Sequence, residues 1–173
     1  MAETLSGIIE RVTSHSADSG FAVLRVLPNG RRGVVTVVGT VPSAVAGEYV
    51  EATGTWVVDR EHGQQFKATE LRTAPPQTRE GIEKYLGSGL VKGIGPHFAR
   101  KIVAHFGERT LEVIDESPAF LREVKGIGPR RIQRIRESWQ EQRAVRRIMV
   151  FLQSHGVGTA RATPSSARNS GLR

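Results

Sequence analysis

The sequence predicts an α+β chain, in which a small five-stranded β-barrel precedes an all-α domain. Three observations support this fold class. The first 75 residues contain short runs of β-branched and aromatic residues that are separated by turn-forming residues. A short segment with two prolines, 74–78, then ends the strand pattern. Beyond it, apolar residues recur at helical spacing, and a twelve-residue stretch occurs twice.

The N-terminal runs predict five strands, and five short strands in so compact a segment favour a barrel of the OB-fold type. The predicted strands are 5–13, 21–27, 34–39, 49–59 and 66–72. Three aromatic residues, Phe21, Trp56 and Phe66, either fill the barrel or stack on single-stranded bases, and the barrel interior is favoured for each. The loops add four basic side chains: Arg31, Arg32, Arg60 and His62.

The C-terminal half predicts a series of helices. One begins near Thr78 and ends at 87–89, a second covers 96–106, and a short third covers 108–115. Ser117 followed by Pro118 predicts an N-cap and a first helical turn for a fourth helix, which ends at 123. The pattern is helical again from Pro129, and a later apolar face is predicted on four residues: Val145, Ile148, Met149 and Leu152.

The repeated stretch reads VKGIGPHFARKI at 91–102 and VKGIGPRRIQRI at 124–135, with six identical residues in a row at an offset of 33 positions. Each copy places two glycines, which can take positive φ, before a proline suited to a first helical turn. The backbone N–H groups at such a helix start lack partners, and the helix dipole favours an anion there. Ordinary helix-connecting turns use the same residue types, but they do not require six identical residues.

These residues resemble the helix-hairpin-helix family, whose glycine–apolar–glycine hairpins hold the phosphate backbone of DNA without reading its sequence. Two copies at one period look like the tandem arrangement in which two hairpins straddle a duplex. The resemblance implies contacts to DNA from six hairpin residues: Gly93, Ile94, Gly95, Gly126, Ile127 and Gly128. Nearby side chains are expected to assist, with Arg130 and Arg131 foremost: His97, Arg100, Lys101, Arg130, Arg131 and Arg134.

The charge distribution separates the two halves of the chain. Residues 1–77 carry seven Lys/Arg and eight Asp/Glu, a net charge of −1, whereas residues 78–173 carry eighteen and nine, a net charge of +9. The basic half is the half that contains the repeat, as expected of a surface that binds nucleic acid. The acidic balance of the first half argues against a strong nucleic-acid groove on the barrel.

A third glycine–apolar–glycine stretch, Gly156-Val157-Gly158, begins another hairpin that the sequence does not complete. The tail after it consists largely of Ser, Pro and Arg with almost nothing to bury, and it is predicted to be disordered. The predicted domains are a barrel at 1–74, a tandem hairpin domain at 75–155, and the incomplete third unit with its tail at 156–173.

Three longer stretches resemble the N-terminal part of RecD-like ATP-dependent DNA helicases, in the bacterial branch found without the RecBCD partners. They read TVVGTVPSAVAGEYVEATGTWVVDREHGQQFKA, EGIEKYLGSGLVKGIGP and FLQSHGVGTARA. This resemblance covers about residues 3–162 and stops inside the third unit, as expected of a truncated or frame-shifted gene product or of a deliberately excised fragment. It implies an OB-like domain and tandem hairpins ahead of two motor domains that move 5′ to 3′ on single-stranded DNA in repair and recombination.

The sequence has no phosphate-binding loop of the pattern G-x-x-x-x-G-K-[ST] and no Gly-Lys pair. We therefore expect sequence-independent binding to the phosphates of a duplex or a duplex–single-strand junction, with no ATPase activity, catalytic residue or cofactor. Two alternatives remain: a protein-docking module, and a helicase fragment whose activity depends on a motor outside this sequence.

The same sequence argues against several other classes of protein. It contains no cysteine, and its five histidines are scattered, which excludes a thiolate metal site and argues against zinc. No apolar run reaches the length of a membrane span, and no secretory signal is visible. A cytoplasmic protein with neither metal nor membrane contact is expected.

Overall fold

The computed structural model describes residues 2–61 and 63–154, and over these it contains a closed five-stranded β-barrel followed by helices. His62, the incomplete third hairpin and the predicted disordered tail lie outside the described residues. The strands are β1 Glu3–His15, β2 Phe21–Pro28, β3 Val35–Thr40, β4 Tyr49–Asp59 and β5 Gly63–Ala74. All five predicted strands are therefore present, and the α+β fold class is confirmed.

The barrel closes in the order β1-β2-β3-β5-β4. All neighbouring strands are antiparallel except β3 and β5, which pair in parallel over three residues on each side. The strand β5 begins three residues earlier than predicted because Asp59 pairs with Gly63, so the hairpin ladder continues through the polar Gln64 and Gln65 up to the turn. Apolar side chains at alternate positions fill the barrel, with Ile9, Leu24 and Phe66 fully buried.

The three aromatic residues of the barrel have different environments. Phe66 is fully buried, and the partly buried Trp56 packs edge-on against it with 5.1 Å between the ring centroids. The guanidinium of Arg31 covers the Trp56 ring at 4.6 Å from its centroid. Phe21 is 47% exposed, so the prediction that it fills the barrel is wrong. It lies at the first position of β2, where its side chain points away from the interior that Ala22 and Leu24 occupy.

The helices follow the barrel directly. They are α1 Arg79–Gly87, α2 Pro96–Phe106, α3 Thr110–Glu116 and α4 Pro129–Ser154, with 3-10 turns at Gly107–Arg109 and Pro118–Glu123. The Thr78 hydroxyl caps α1 by accepting a hydrogen bond of 3.0 Å from the amide of Gly81. The bounds of α2 agree with the prediction, and Gly107 ends this helix with a φ of 62°. No helix in the described part of the chain is long and apolar enough to cross a membrane.

Three helical predictions need correction. The segment Pro118–Glu123 is a 3-10 helix, and its N-cap Ser117 makes no side-chain capping bond. The predicted helix at 108–115 is divided into a 3-10 turn and α3. The helix α4 runs without a break for 26 residues, and Val145, predicted on an apolar face, is 45% exposed. The other predicted members of that face, Ile148, Met149 and Leu152, have side chains outside the described set.

The helices enclose a second hydrophobic core, separate from that of the barrel. It contains equivalent residues of the two repeats, which are buried in pairs: Val91 and Val124, Ile94 and Ile127, and Ile102 and Ile135. The partly buried Trp139 anchors α4 to α3, since its indole N–H donates to the Asp115 carboxylate at 3.0 Å. Arg143 forms a salt bridge with the same carboxylate at 3.0 Å.

The barrel and the helices are joined by the loop between β3 and β4. Val45 of this loop packs against the helical core. Gly47 has a φ of 92°, and a Cβ at this position would overlap the carbonyl oxygen of Gly81 in α1. The same loop is held to β1, because the Gly47 amide donates to the Ile9 carbonyl at 2.7 Å. Backbone therefore packs directly on backbone where the two parts meet.

Candidate nucleic-acid interface

Two hairpins of nearly identical backbone connect the helices of the second core. The first glycine of each has a positive φ, 94° at Gly93 and 95° at Gly126. In each, the apolar residue between the glycines turns inward and is buried, and its amide donates back across the turn. The bonds are Ile94 to the Val91 carbonyl at 3.2 Å and Ile127 to the Val124 carbonyl at 3.1 Å. The six identical residues thus give the two hairpins closely similar backbone geometry.

The first glycines are required by packing as well as by φ. A Cβ on Gly93 would lie 3.0 Å from the Ile135 side chain, and one on Gly126 would lie 3.1 Å from the Phe98 ring. Ile135 belongs to α4, which leaves the second hairpin, and Phe98 belongs to α2, which leaves the first. Each hairpin therefore packs against the helix that follows the other hairpin.

The second glycines differ from the first. Gly95 has a φ of −110°, and Gly128 is not among the glycines with positive φ, so these two do not use the positive φ that glycine can take. A Cβ at either position would meet no atom within 4 Å. Neither the backbone conformation nor the packing of the fold therefore demands glycine at Gly95 or Gly128. What glycine provides there is an open approach to the main chain from outside.

Both following helices begin with free amides. In α2 the first helical hydrogen bond runs from the Ala99 amide to the Gly95 carbonyl at 2.8 Å, and in α4 from the Ile132 amide to the Gly128 carbonyl at 3.0 Å. The amides that precede these donors have no helical acceptor. Gly95 supplies no side-chain cap, and neither helix has an acidic residue in its first turn. No carboxylate of either helix therefore competes with a bound anion for the free amides at these two helix starts.

The predicted basic side chains surround these helix starts, but they are not equally free. His97, Arg130 and Arg134 are exposed beside the second glycines. Arg130, Arg131 and Arg134 line an open concavity together with Gly128 and Pro129. Arg100 is also exposed, and it lies 3.9 Å from the Glu83 carboxylate of α1, which partly offsets its charge.

Two of the predicted cations form hydrogen bonds within the protein. Arg131 donates to the carbonyl of Gly93 at 2.9 Å, and Lys101 donates to the carbonyl of Lys125 at 2.7 Å. Both side chains also lie over the Phe98 ring, at 4.2 Å for Arg131 and 5.6 Å for Lys101. Both charges are close to the hairpins, but each side chain is held in place by the hairpin opposite its own helix. Arg131 of α4 bonds to the first hairpin, and Lys101 of α2 bonds to the second.

Sequence reasoning missed two lysines and one aromatic residue. Lys92 and Lys125 are exposed and directly precede the first glycine of each hairpin. Their signal was present, because the same cation stands at the same position of both copies. Phe98 lies on the apolar face of its helix, and no local pattern reveals that its ring also lies beside the other hairpin.

The described residues include no group of three or more His, Asp or Glu side chains that could hold a metal ion. No buried side-chain nitrogen or oxygen within the described ranges lacks a hydrogen-bond partner. The chemistry that the hairpins offer is therefore backbone N–H donors, open glycine edges and positive charge.

Comparisons with known proteins agree with this architecture. Residues 2–76 match the family model described as the OB-fold domain of the ATP-dependent DNA helicase YrrC, and residues 87–141 match the SAM-like helix-hairpin-helix tandem. The chain is 27% identical to the ATP-dependent RecD2 DNA helicase of Deinococcus radiodurans over 159 aligned residues, and this alignment covers 88% of the chain. The chain spans only 22% of that relative's length. An OB-fold domain followed by a helix-hairpin-helix tandem, together with this similarity over most of the chain, is consistent with an N-terminal fragment of a RecD-like DNA helicase.

Proposed function

We propose that this chain binds the phosphate backbone of DNA through its two hairpins, without reading base sequence, on a duplex or at a duplex–single-strand junction. One observation carries the proposal: the two helix starts are matched, uncapped by side chains and open above Gly95 and Gly128. The names of the matched family models and of the relative support DNA as the partner.

The chemistry of this surface suits phosphate rather than bases. Backbone amides and a helix dipole favour an anion but carry no pattern of donors and acceptors that distinguishes base pairs. The exposed Arg130 and Arg134 can add charge-assisted hydrogen bonds to phosphate oxygens. Lys92 and Lys125 add a cation beside each hairpin. Gly93, Ile94, Gly126 and Ile127 serve this surface by shaping the two turns.

Salt dependence tests the proposal. If each hairpin neutralises about two phosphates, the slope of log affinity against log salt is roughly −3.6, and affinity falls about a hundredfold between about 50 and 200 mM salt. Fluorescence anisotropy with labelled duplex, fork and single strand of scrambled sequences would measure it. Duplex and fork should bind alike and more tightly than single strand. A slope near zero, or a strong preference for one base sequence, would overturn the proposal.

We further propose that the chain does not hydrolyse ATP by itself, because its sequence has no phosphate-binding loop and neither matched family model is a motor domain. The remainder of a helicase, where one is joined to this region, would supply that activity.

A protein-docking function is the second candidate, favoured by an open, mainly apolar groove. It is lined by Pro75, Pro76, Leu111 and Trp139, among others. Its lining also includes three carboxylates, of Glu112, Asp115 and Glu116, against one arginine, Arg143, which pairs with Asp115, and this net negative charge would repel DNA. A Leu111→Gln substitution alters the apolar lining without adding charge and should therefore leave DNA affinity unchanged. If this variant loses DNA binding while remaining folded, the groove rather than the hairpins is the nucleic-acid surface.

A further inference from the structure

The strongest cluster of side chains outside the open hairpin edges lies between the two hairpins, and it centres on Phe98. The Phe98 ring, on α2, lies beside the first glycine of the second hairpin, Gly126, so that a Cβ there would come within 3.1 Å of it. The guanidinium of Arg131, on α4, lies 4.2 Å from the centroid of this ring. The same guanidinium donates at 2.9 Å to the carbonyl of Gly93, in the first hairpin.

This arrangement connects each hairpin to the other by a short path. From the first hairpin the path runs through the Gly93 carbonyl to Arg131, and from Arg131 through the stacked ring of Phe98 to Gly126. Lys101 adds a second connection, since its ammonium donates to the Lys125 carbonyl at 2.7 Å. Arg131 and Phe98 are half-buried, so water screens these contacts only in part.

We propose that Phe98 and Arg131 form a brace that fixes the distance and orientation between the two hairpins, and that Arg131 acts as a positioning residue rather than as a phosphate ligand. This inference rests on the proposed DNA-backbone binding. Two phosphates of a duplex lie at fixed separation, so hairpins held at the matching separation bind without first losing conformational freedom. Without the brace, each hairpin still offers its amides, but part of the binding free energy is spent on fixing the relative position of the two hairpins.

The brace needs the shape of Arg131 as well as its charge. A planar guanidinium can stack on a ring and donate a hydrogen bond in its own plane at the same time. A lysine at this position keeps the positive charge but cannot do both. A phosphate ligand, by contrast, would tolerate lysine, because a point charge suffices for a single phosphate contact.

The experiment compares Arg131→Lys, Arg131→Met and Phe98→Leu by DNA titration over a series of salt concentrations. The brace predicts that all three lower affinity by about fivefold or more, since the Arg131 variants disturb both the cation on the ring and the hydrogen bond to Gly93, and Phe98→Leu removes the ring that orients the guanidinium. The salt slope should stay unchanged in Arg131→Lys and Phe98→Leu. The double variant Phe98→Leu/Arg131→Lys should lose little more than either single variant, because both remove one interaction.

A matched control is available on the same helix. Phe106 is partly buried against the same core and packs edge-on against His105 at the other end of α2, much as Phe98 packs edge-on against His97. Phe106→Leu makes the same chemical change as Phe98→Leu and should cost stability without changing DNA affinity. Thermal unfolding would confirm that each variant is folded at the assay temperature.

Two results would overturn the inference. If Arg131→Lys binds as the parent does while Arg131→Met loses affinity and about 0.9 of salt slope, Arg131 is a phosphate ligand. If Phe98→Leu binds DNA no worse than Phe106→Leu, the ring does not position the hairpins. In either case the parent would still bind with its steep salt slope, whereas failure of the proposed function itself would remove that slope from the parent.

Discussion

Replacement of the second glycines by alanine separates the needs of DNA binding from the needs of the fold. At Gly95 the φ of −110° is open to any residue, and at both Gly95 and Gly128 a Cβ has no neighbour within 4 Å. Alanine is a poorer N-cap than glycine, but it also reduces the entropy of the unfolded chain. These opposed effects leave the double variant Gly95→Ala/Gly128→Ala within about 1 kcal/mol of the parent in the free energy of unfolding.

The effect on DNA binding should be larger. A methyl group on each hairpin edge holds a phosphate away from the amides, and a hydrogen bond to a charged acceptor contributes about 1.5–3 kcal/mol. Loss of one such bond already lowers affinity at least about tenfold, which is about 1.4 kcal/mol. Anisotropy titration of a labelled fork would measure the affinity, and urea unfolding would measure the stability.

The first glycines supply the matched comparison. At Gly93, alanine would have to adopt a φ of 94° with its Cβ 3.0 Å from the Ile135 side chain. Strain in the left-handed region costs about 1–2 kcal/mol for each residue, so Gly93→Ala should lower stability clearly. The reasoning is refuted if Gly95→Ala/Gly128→Ala destabilises the fold as much as Gly93→Ala does, or if it binds the fork as tightly as the parent.

Three further predictions concern other parts of the chain. The two hairpins should contribute unequally to DNA binding, because Arg130 and Arg134 are exposed beside the second, whereas the first has His97 and an Arg100 that lies near Glu83. In the same titrations, Arg130→Gln/Arg134→Gln should reduce the salt slope by up to about 1.8, and Arg100→Gln should change it by less than about 0.9. Gly47→Ala should destabilise the protein by about 2 kcal/mol or more, because its Cβ would overlap the Gly81 carbonyl, and an unchanged midpoint in thermal unfolding would argue against rigid packing of barrel on helices. Arg31→Ala/Arg32→Ala on the barrel should weaken DNA binding less than the second-glycine variant does, and the reverse order of affinities would move the binding surface to the barrel.

The barrel and both hairpins were predictable because local signals and global packing agree. The strands carry alternating β-branched residues between turn residues, and in the repeats Gly93, Gly126 and the prolines fix the backbone in ways that do not depend on distant partners. The helix α2 and the strand β4 even have the predicted bounds.

The parts that sequence reasoning missed depend on contacts between distant residues. The exposure of Phe21 follows from the side of β2 on which the barrel closes. The sequence has glycine at both Gly93 and Gly95, and the packing of Ile135 of α4 beside Gly93 alone is not visible in it. The DNA contact predicted for Arg131 remains a prediction, but its hydrogen bond to the Gly93 carbonyl, 38 positions away in the sequence, was not foreseen. Charge and periodicity alone do not contain that information.

Amide chemical-shift mapping tests directly whether DNA phosphates meet the backbone amides at the two helix starts. A ¹⁵N-labelled sample would be titrated with an unlabelled duplex of scrambled sequence at low salt. If phosphates bind there, the largest chemical-shift changes occur at the amides of Gly95, His97, Gly128 and Arg130. These changes should reverse when the salt concentration is raised. Shifts concentrated on the barrel strands, with those four amides unmoved at saturation, would contradict binding of phosphates at the helix starts.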